Sequence, residues 1–127
     1  MGKKVEKTHA GGVWTKSRYF TFIRSALRSA WLKYPLRFKA IKDATRDYSG
    51  ENPRQKKETQ CAVCKEWFPQ SKIQVDHIDP CGSLTEYDHL PEFVEKLIPP
   101  FSGDNIQVLC LECHAAKTLK ERTKNIT

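Results

Sequence analysis

The chain of 127 residues has no apolar run approaching the roughly 18 to 20 residues needed to cross a bilayer. Its opening MGKKVEKTHAGG also lacks the apolar stretch of a secretory leader. The expectation is therefore a cytoplasmic protein with no membrane partner. Internal repeats are missing, and so are low-complexity tracts outside the termini, which leaves an ordinary globular chain. At this length and 39% hydrophobic content, one compact domain with one modest core is expected rather than two independent ones.

Acidic residues are scarce in the first half only. Residues 1–60 carry 15 basic and 5 acidic side chains, while residues 61–127 carry 7 and 10. The halves are thus +10 and −3 within a total of +7, with a pI near 9.2. Such a field attracts polyanions, nucleic acid before an anionic membrane surface, and the attraction must come from the N-terminal half. Between Asp76 and Glu112, eight carboxylates face only Lys96. In a basic protein that concentration suggests a cation site, with exposed Glu on a surface helix as the plain alternative.

The polar, aperiodic residues 1–13 read as a disordered arm. A basic helical segment follows over 14–57. In it Phe20, Ile23, Leu27 and Ala30 or Trp31 recur at helical spacing, with Arg24 and Arg28 on a flank. A second helix from Pro35 is expected to turn Leu36, Phe38, Ile41 and Ala44 inward and Arg37, Lys39, Lys42 and Arg46 outward, ending at SGENPRQ. Residues 58–127 differ in texture. Strand-like stretches at 72–78 and 106–110 flank an insert at about 80–102 with a short helix from Pro91, and a last helix starts near Leu111 with Lys117, Lys120, Arg122 and Lys124 toward its end. The predicted fold class is α+β, in the order α, α, β, α insert, β, α.

Five cysteines in a reducing compartment are thiols or metal ligands. Cys61 and Cys64 form one C-x2-C and Cys110 and Cys113 another, with 45 residues between. Random placement would give about 0.16 such pairs, so the spacing has a use. Two such knuckles complete a closed four-thiolate site of the kind that holds structural zinc, Zn2+, tying the first knuckle to the last helix. Cys81 is left as a loop or packing thiol.

Between and beside the knuckles stand Asp76-His77 in QVDHIDP, then Asn105 and His114 in NIQVLCLECHAAKT, followed by Lys117-Thr118. This set resembles the HNH endonucleases with a ββα-metal core, in their zinc-knuckle form, and most nearly the small HNH proteins of tailed bacteriophages. The segment FIRSALRSAWLKYPLRFKAIKDA is similar to the N-terminal helices of those proteins, and GSL with FVEKL to their usual insert, so the likeness spans roughly Trp14 to Lys120.

The chemistry is intelligible beside the resemblance. Hydrolysing a phosphodiester needs a base for water and a cation for the charge on phosphate and leaving oxygen. His77 is the expected general base, and His114 with Asp76 the expected ligands of a catalytic Mg2+ or Mn2+. The resemblance implies that Asn105 holds strand and loop so that the base faces the phosphate, and that cleavage leaves 5′-phosphate and 3′-hydroxyl ends. Because neighbours on a regular strand point to opposite faces, Asp76 and His77 can share a site only where the backbone departs from alternation. Arg24, Arg28, Lys39, Lys42 and Lys117 are the expected contacts to DNA phosphates, which position a duplex without reading it. The expected partner is DNA, with a terminase or another phage protein as a further partner that the likeness admits, and the protein a monomer or homodimer. A non-catalytic zinc module binding DNA or protein is the rival reading.

Overall fold

A computed structural model describes residues 5–126, with side chains as far as Arg122. Lys124 and residues 1–4 of the expected arm lie outside the described residues and side chains. Contacts divide the chain into two compact units that do not follow the sequence boundary at 57 and 58. The first joins 1–34 to 79–101, and the second joins 35–78 to 102–127.

In the first unit, a turn at Ala10–Gly12 and a bridge between His9 and Trp14 precede helix α1 (Lys16–Trp31). Thr15 caps α1, its hydroxyl accepting from Arg18 N at 3.2 Å and so satisfying a free amide of the first turn. Phe20 and Trp31 are buried and Ile23 and Leu27 half-buried, so Trp31, not exposed Ala30, ends the stripe. The insert supplies the partner of this helix. Tyr19 and Tyr87 share a 2.7 Å hydroxyl contact, Lys16 pairs with Glu86, and the Phe20 ring meets Tyr87 edge-on at 5.2 Å. Helix α3 (Leu90–Leu97) buries Phe93 and Leu97 completely, and Arg28 of α1 lies 5.9 Å from the Phe93 ring.

The second unit opens with helix α2 (Pro35–Asp43). Its face is rotated from the expected one: Arg37 is half-buried and Phe38 is 52% exposed. Arg37 and Ile41 line a cleft of about 170 Å³ with Gln70, Ile73, Gln74 and Val75, so a cation stands where a ring was expected.

Ala44 and Arg46 are not helical. Strand β1 (Thr45–Asp47) follows at once and pairs antiparallel with β2 (Lys57–Gln60), which pairs with β3 (Trp67–Phe68). This sheet was not expected from the sequence, because KETQ has no apolar alternation to announce a strand. It is held by the buried Thr59 hydroxyl 2.8 Å from that of Thr45, by Arg46 Nε donating to Glu58 at 2.7 Å, and by the Arg46 guanidinium 3.5 Å from the Trp67 ring centroid.

Strands β4 (Ile73–His77) and β5 (Ile106–Cys110) pair antiparallel without a bulge, from Ile73 opposite Cys110 to His77 opposite Ile106. Helix α4 (Leu111–Ile126) starts directly after β5 and packs back on both strands, giving a β, β, α unit. The mixed α+β class is as expected.

Candidate metal centre and active site

The first knuckle is a tight turn. Lys65 N donates to Cys61 O at 3.1 Å and Cys61 N to Glu66 O at 3.0 Å, which forces Lys65 into the left-handed region at φ +66°. Ala62 N donates to Val108 O at 2.8 Å and so fastens the turn beside β5. The second knuckle forms because β5 ends in Cys110 and α4 begins at the next residue, leaving Cys113 in the first helical turn with its amide donating to Cys110 Sγ at 3.4 Å.

The four thiol sulfurs lie within 4.8 Å of one another, with Cys64 and Cys110 at 4.0 Å. Sulfurs about 2.3 Å from a tetrahedral zinc stand about 3.8 Å apart, so the cluster can close on such an ion with small movements. Cys61 and Cys110 are buried, Cys113 is half-buried and Cys64 exposed, with Leu109 and Phe68 packed against the group.

Electrostatics favour a cation here. Burial pushes the Cys61 thiol up, but the backbone of Cys110, Cys64 and Val63 outweighs it and brings the group down to about 6. Cys113 is pushed up to about 12 by its hydrogen bond with Cys110, by burial, and by the Cys61 and Cys64 thiols and the Cys61 charge. Four sulfurs this close cannot all ionise unless a positive ion joins them. Cys81 is buried in the first unit and takes no part in this cluster.

Three register steps along the ladder, Asp76 stands opposite Gln107. Its half-buried carboxylate gathers polar groups from β5 and α4: Lys117 Nζ at 3.0 Å and Gln107 Nε2 at 3.5 Å reach Oδ2, and His114 Nε2 lies 3.8 Å from Oδ1. Lys117 also pairs with Glu121. Burial would lower the Lys117 ammonium, but the hydrogen bonds and charges of Glu121 and Asp76 outweigh it and raise the group. The Thr118 hydroxyl donates to His114 O at 3.0 Å and steadies that turn. Asp76 and His114 would need to approach by under about 1 Å to share a divalent ion with ligand distances near 2.1 Å, so the pair fits a cation. With His114 side chain 37% exposed, solvent oxygens have access.

His77 is placed differently. It is 8% exposed at the last step of an unbroken ladder, so alternation puts it on the face opposite Asp76. Asn105 lies one residue before β5, and its carbonyl accepts from Ile78 N at 2.8 Å, extending the pairing past His77. Its backbone thus ties strand to loop. The structure therefore groups Asp76 with His114 and Lys117, and groups the ends of β4 and β5 around His77 and Asn105.

Glu121 and Gln107 were not anticipated. The signal for Glu121 was present, since His114, Lys117 and Glu121 fall at i, i+3 and i+7 and share one helix face. Gln107 is identified only by the β4 to β5 register. Among the expected phosphate contacts, Arg24, Arg28 and Lys42 are exposed, whereas Lys39 is exposed but pairs with Asp43 at 2.6 Å. The chain matches no protein-family model, no curated protein and no solved structure.

Proposed function

We propose that the protein is a metal-dependent DNA endonuclease of the HNH type, hydrolysing phosphodiester bonds. One observation carries this reading: a carboxylate oxygen and an imidazole nitrogen 3.8 Å apart on the same β, β, α unit that bears the four-cysteine cluster. Cys61, Cys64, Cys110 and Cys113 would hold zinc, which supplies stability. Asp76 and His114 would hold Mg2+ or Mn2+, which when bound supplies positive charge for the phosphate and leaving oxygen.

The chain's own side chains do the rest. His77 accepts the proton of the attacking water at an imidazole nitrogen. Asn105 keeps the loop against the strand through its carbonyl, and Arg24, Arg28 and Lys42 attract the backbone of the duplex. For His77 to reach the same phosphate as Asp76, alternation must break at the strand end, just before Pro80.

The unbroken ladder up to His77 favours one second reading, a zinc-stabilised module that binds DNA or protein without cutting it. Plasmid nicking with Mg2+, Mn2+ or EDTA separates the two. Cleavage by the wild type that is abolished in His77→Ala, with fold and zinc content kept, is the expected result. His114→Ala should regain activity at raised Mn2+, whereas His77→Ala should not, because added cation cannot replace a proton acceptor. An active His77→Ala protein, prepared free of host nuclease, would return the binding module to first place.

A further inference from the structure

The Asp76 carboxylate is not waiting bare for a metal. Its side chain is 18% exposed, and a carboxylate so far withdrawn from water needs a counter-charge. Lys117 provides it at 3.0 Å, on the oxygen that does not face His114. Lys117 is itself only 22% exposed and holds a second carboxylate, Glu121, one turn further along α4. The group therefore contains two anions and one internal cation, and a divalent ion on Asp76 and His114 would stand within a few ångströms of an ammonium.

Both groups cannot use Asp76 equally well. Like charges at that separation repel even across the two oxygens, and each cation draws down the charge of the one carboxylate that attracts the other. The i, i+4 pair with Glu121 gives Lys117 another place to go, because the ammonium can release Asp76 without losing every anionic partner. We propose that Lys117 is a built-in competitor for the catalytic cation: it neutralises Asp76 in the metal-free protein, yields the carboxylate to the divalent ion, and retires to Glu121.

The proposal rests on Asp76 and His114 as the cation's ligands. It assigns Lys117 a positioning role where a simple phosphate contact was expected from the sequence, and it makes Glu121 part of the same device. Removing Lys117 then strengthens cation binding, while removing the Glu121 charge weakens it by confining the ammonium to Asp76.

The test is Mn2+ binding to zinc-loaded, full-length protein without DNA, read from the free Mn2+ signal in electron paramagnetic resonance. Lys117→Met should tighten the Mn2+ Kd about tenfold and Glu121→Gln should weaken it about threefold, the scale of one half-exposed charge contact. An unchanged or weaker Kd in Lys117→Met overturns the proposal. Should Lys117→Met fail to fold, Glu121→Gln decides alone, and an unchanged or tighter Kd there overturns it. Asp76→Asn tests the reading beneath: loss of Mn2+ binding supports the ligand assignment, and retention removes the site itself, a failure distinct from a silent Lys117→Met.

Discussion

The two polar clusters of the second unit share β5 and α4 but use them in opposite ways. The cysteine cluster is tight and partly buried, made of four identical soft donors drawn from two turns, with Leu109 and Phe68 packed against it. The Asp76 cluster is half-open, made of a carboxylate, an imidazole, an ammonium and a carboxamide drawn from β4, β5 and α4. Three register steps, about 10 Å, separate Asp76 from the strand end that carries Cys110. Cys113 and His114 are neighbours on α4, so anchoring one in a metal knuckle sets the position of the other. The half-open Asp76 cluster is thereby mounted on a tighter, more buried one.

The cysteine cluster is where a substitution does most damage. Cys110→Ser removes a 3% exposed donor that also accepts the Cys113 amide. Structural zinc contributes apparent binding energies of about 10 kcal/mol or more to small domains, so this substitution should abolish stoichiometric metal and cooperative melting together. Asp76→Asn should keep both, shifting stability by about 1 kcal/mol as Lys117 loses one partner. Metal analysis and thermal melts of the two variants decide it. Equal damage from both would mean that the Asp76 cluster is as structural as the thiols.

The next effect appears only when the metal is stripped. The folded Cys61 thiol at about 6 lies below its ordinary 9.0, so its contribution to stability is fully present above pH 9 and is lost as pH falls through about 6. Cys113, raised to about 12, acts in the other direction, its contribution being lost as pH climbs from 9 toward 12. The metal-free protein should therefore gain stability between pH 6 and 9, with one thiolate of the cluster appearing early in that window. Urea melts in EDTA and absorbance at 240 nm test both. A flat stability profile from pH 6 to 9 would show that the knuckles do not organise before metal arrives.

Much of the second unit, and α1 of the first, was legible in the chain. The C-x2-C spacing identified the thiol cluster, because ligand geometry imposes a short sequence separation. Short strand-like stretches located β4 and β5, the helical spacing of Phe20, Ile23, Leu27 and Trp31 located α1, and the cations toward its end marked α4. Other features were hidden for physical reasons. β1 and β2 are polar strands held by the Thr45 and Thr59 hydroxyls, Arg46 with Glu58 and Lys57 with Asp47, so no hydrophobic alternation signals them. The grouping of α1 with the insert depends on contacts between Tyr19 and Tyr87, far apart in sequence. Arg37 is half-buried beside β4, and a division into polar and apolar residues cannot register an arginine whose long stem tolerates burial. The link of Lys117 to Asp76 needed the register, although its i+4 partner did not.

The same structure changes how DNA affinity should be probed. Deleting residues 1–57 would remove α2 and β1, which pack on the β4 to β5 pair and on β2, and so would damage the fold. Substituting the exposed Arg24 and Arg28 of α1 leaves those contacts in place. If each meets one phosphate, Arg24→Ala with Arg28→Ala should weaken binding and reduce the slope of log K against log salt by about 1.8. Zinc content and Mn2+ affinity should not change, since the four clustered cysteines, Asp76 and His114 all lie in the second unit. An unchanged salt slope would remove α1 from the DNA-binding surface.

The smallest expected effect separates the knuckle turn from ordinary turn strain. Lys65 and Ala10 both sit at positive φ, +66° and +53°, where a side chain costs about 1 kcal/mol that glycine avoids. Each change to glycine should stabilise by about 0.5 kcal/mol, because the greater freedom of glycine in the unfolded chain offsets part of the relief. Only the Lys65 turn spaces two metal ligands, through Lys65 N to Cys61 O and Gln60 Nε2 to Lys65 O at 3.0 Å. Lys65→Gly should therefore also tighten zinc in a chelator competition, by about twofold for that 0.5 kcal/mol, while Ala10→Gly leaves zinc affinity unchanged. Equal zinc affinity in the two variants would mean that the left-handed residue follows from the chain path alone and contributes nothing to the metal site.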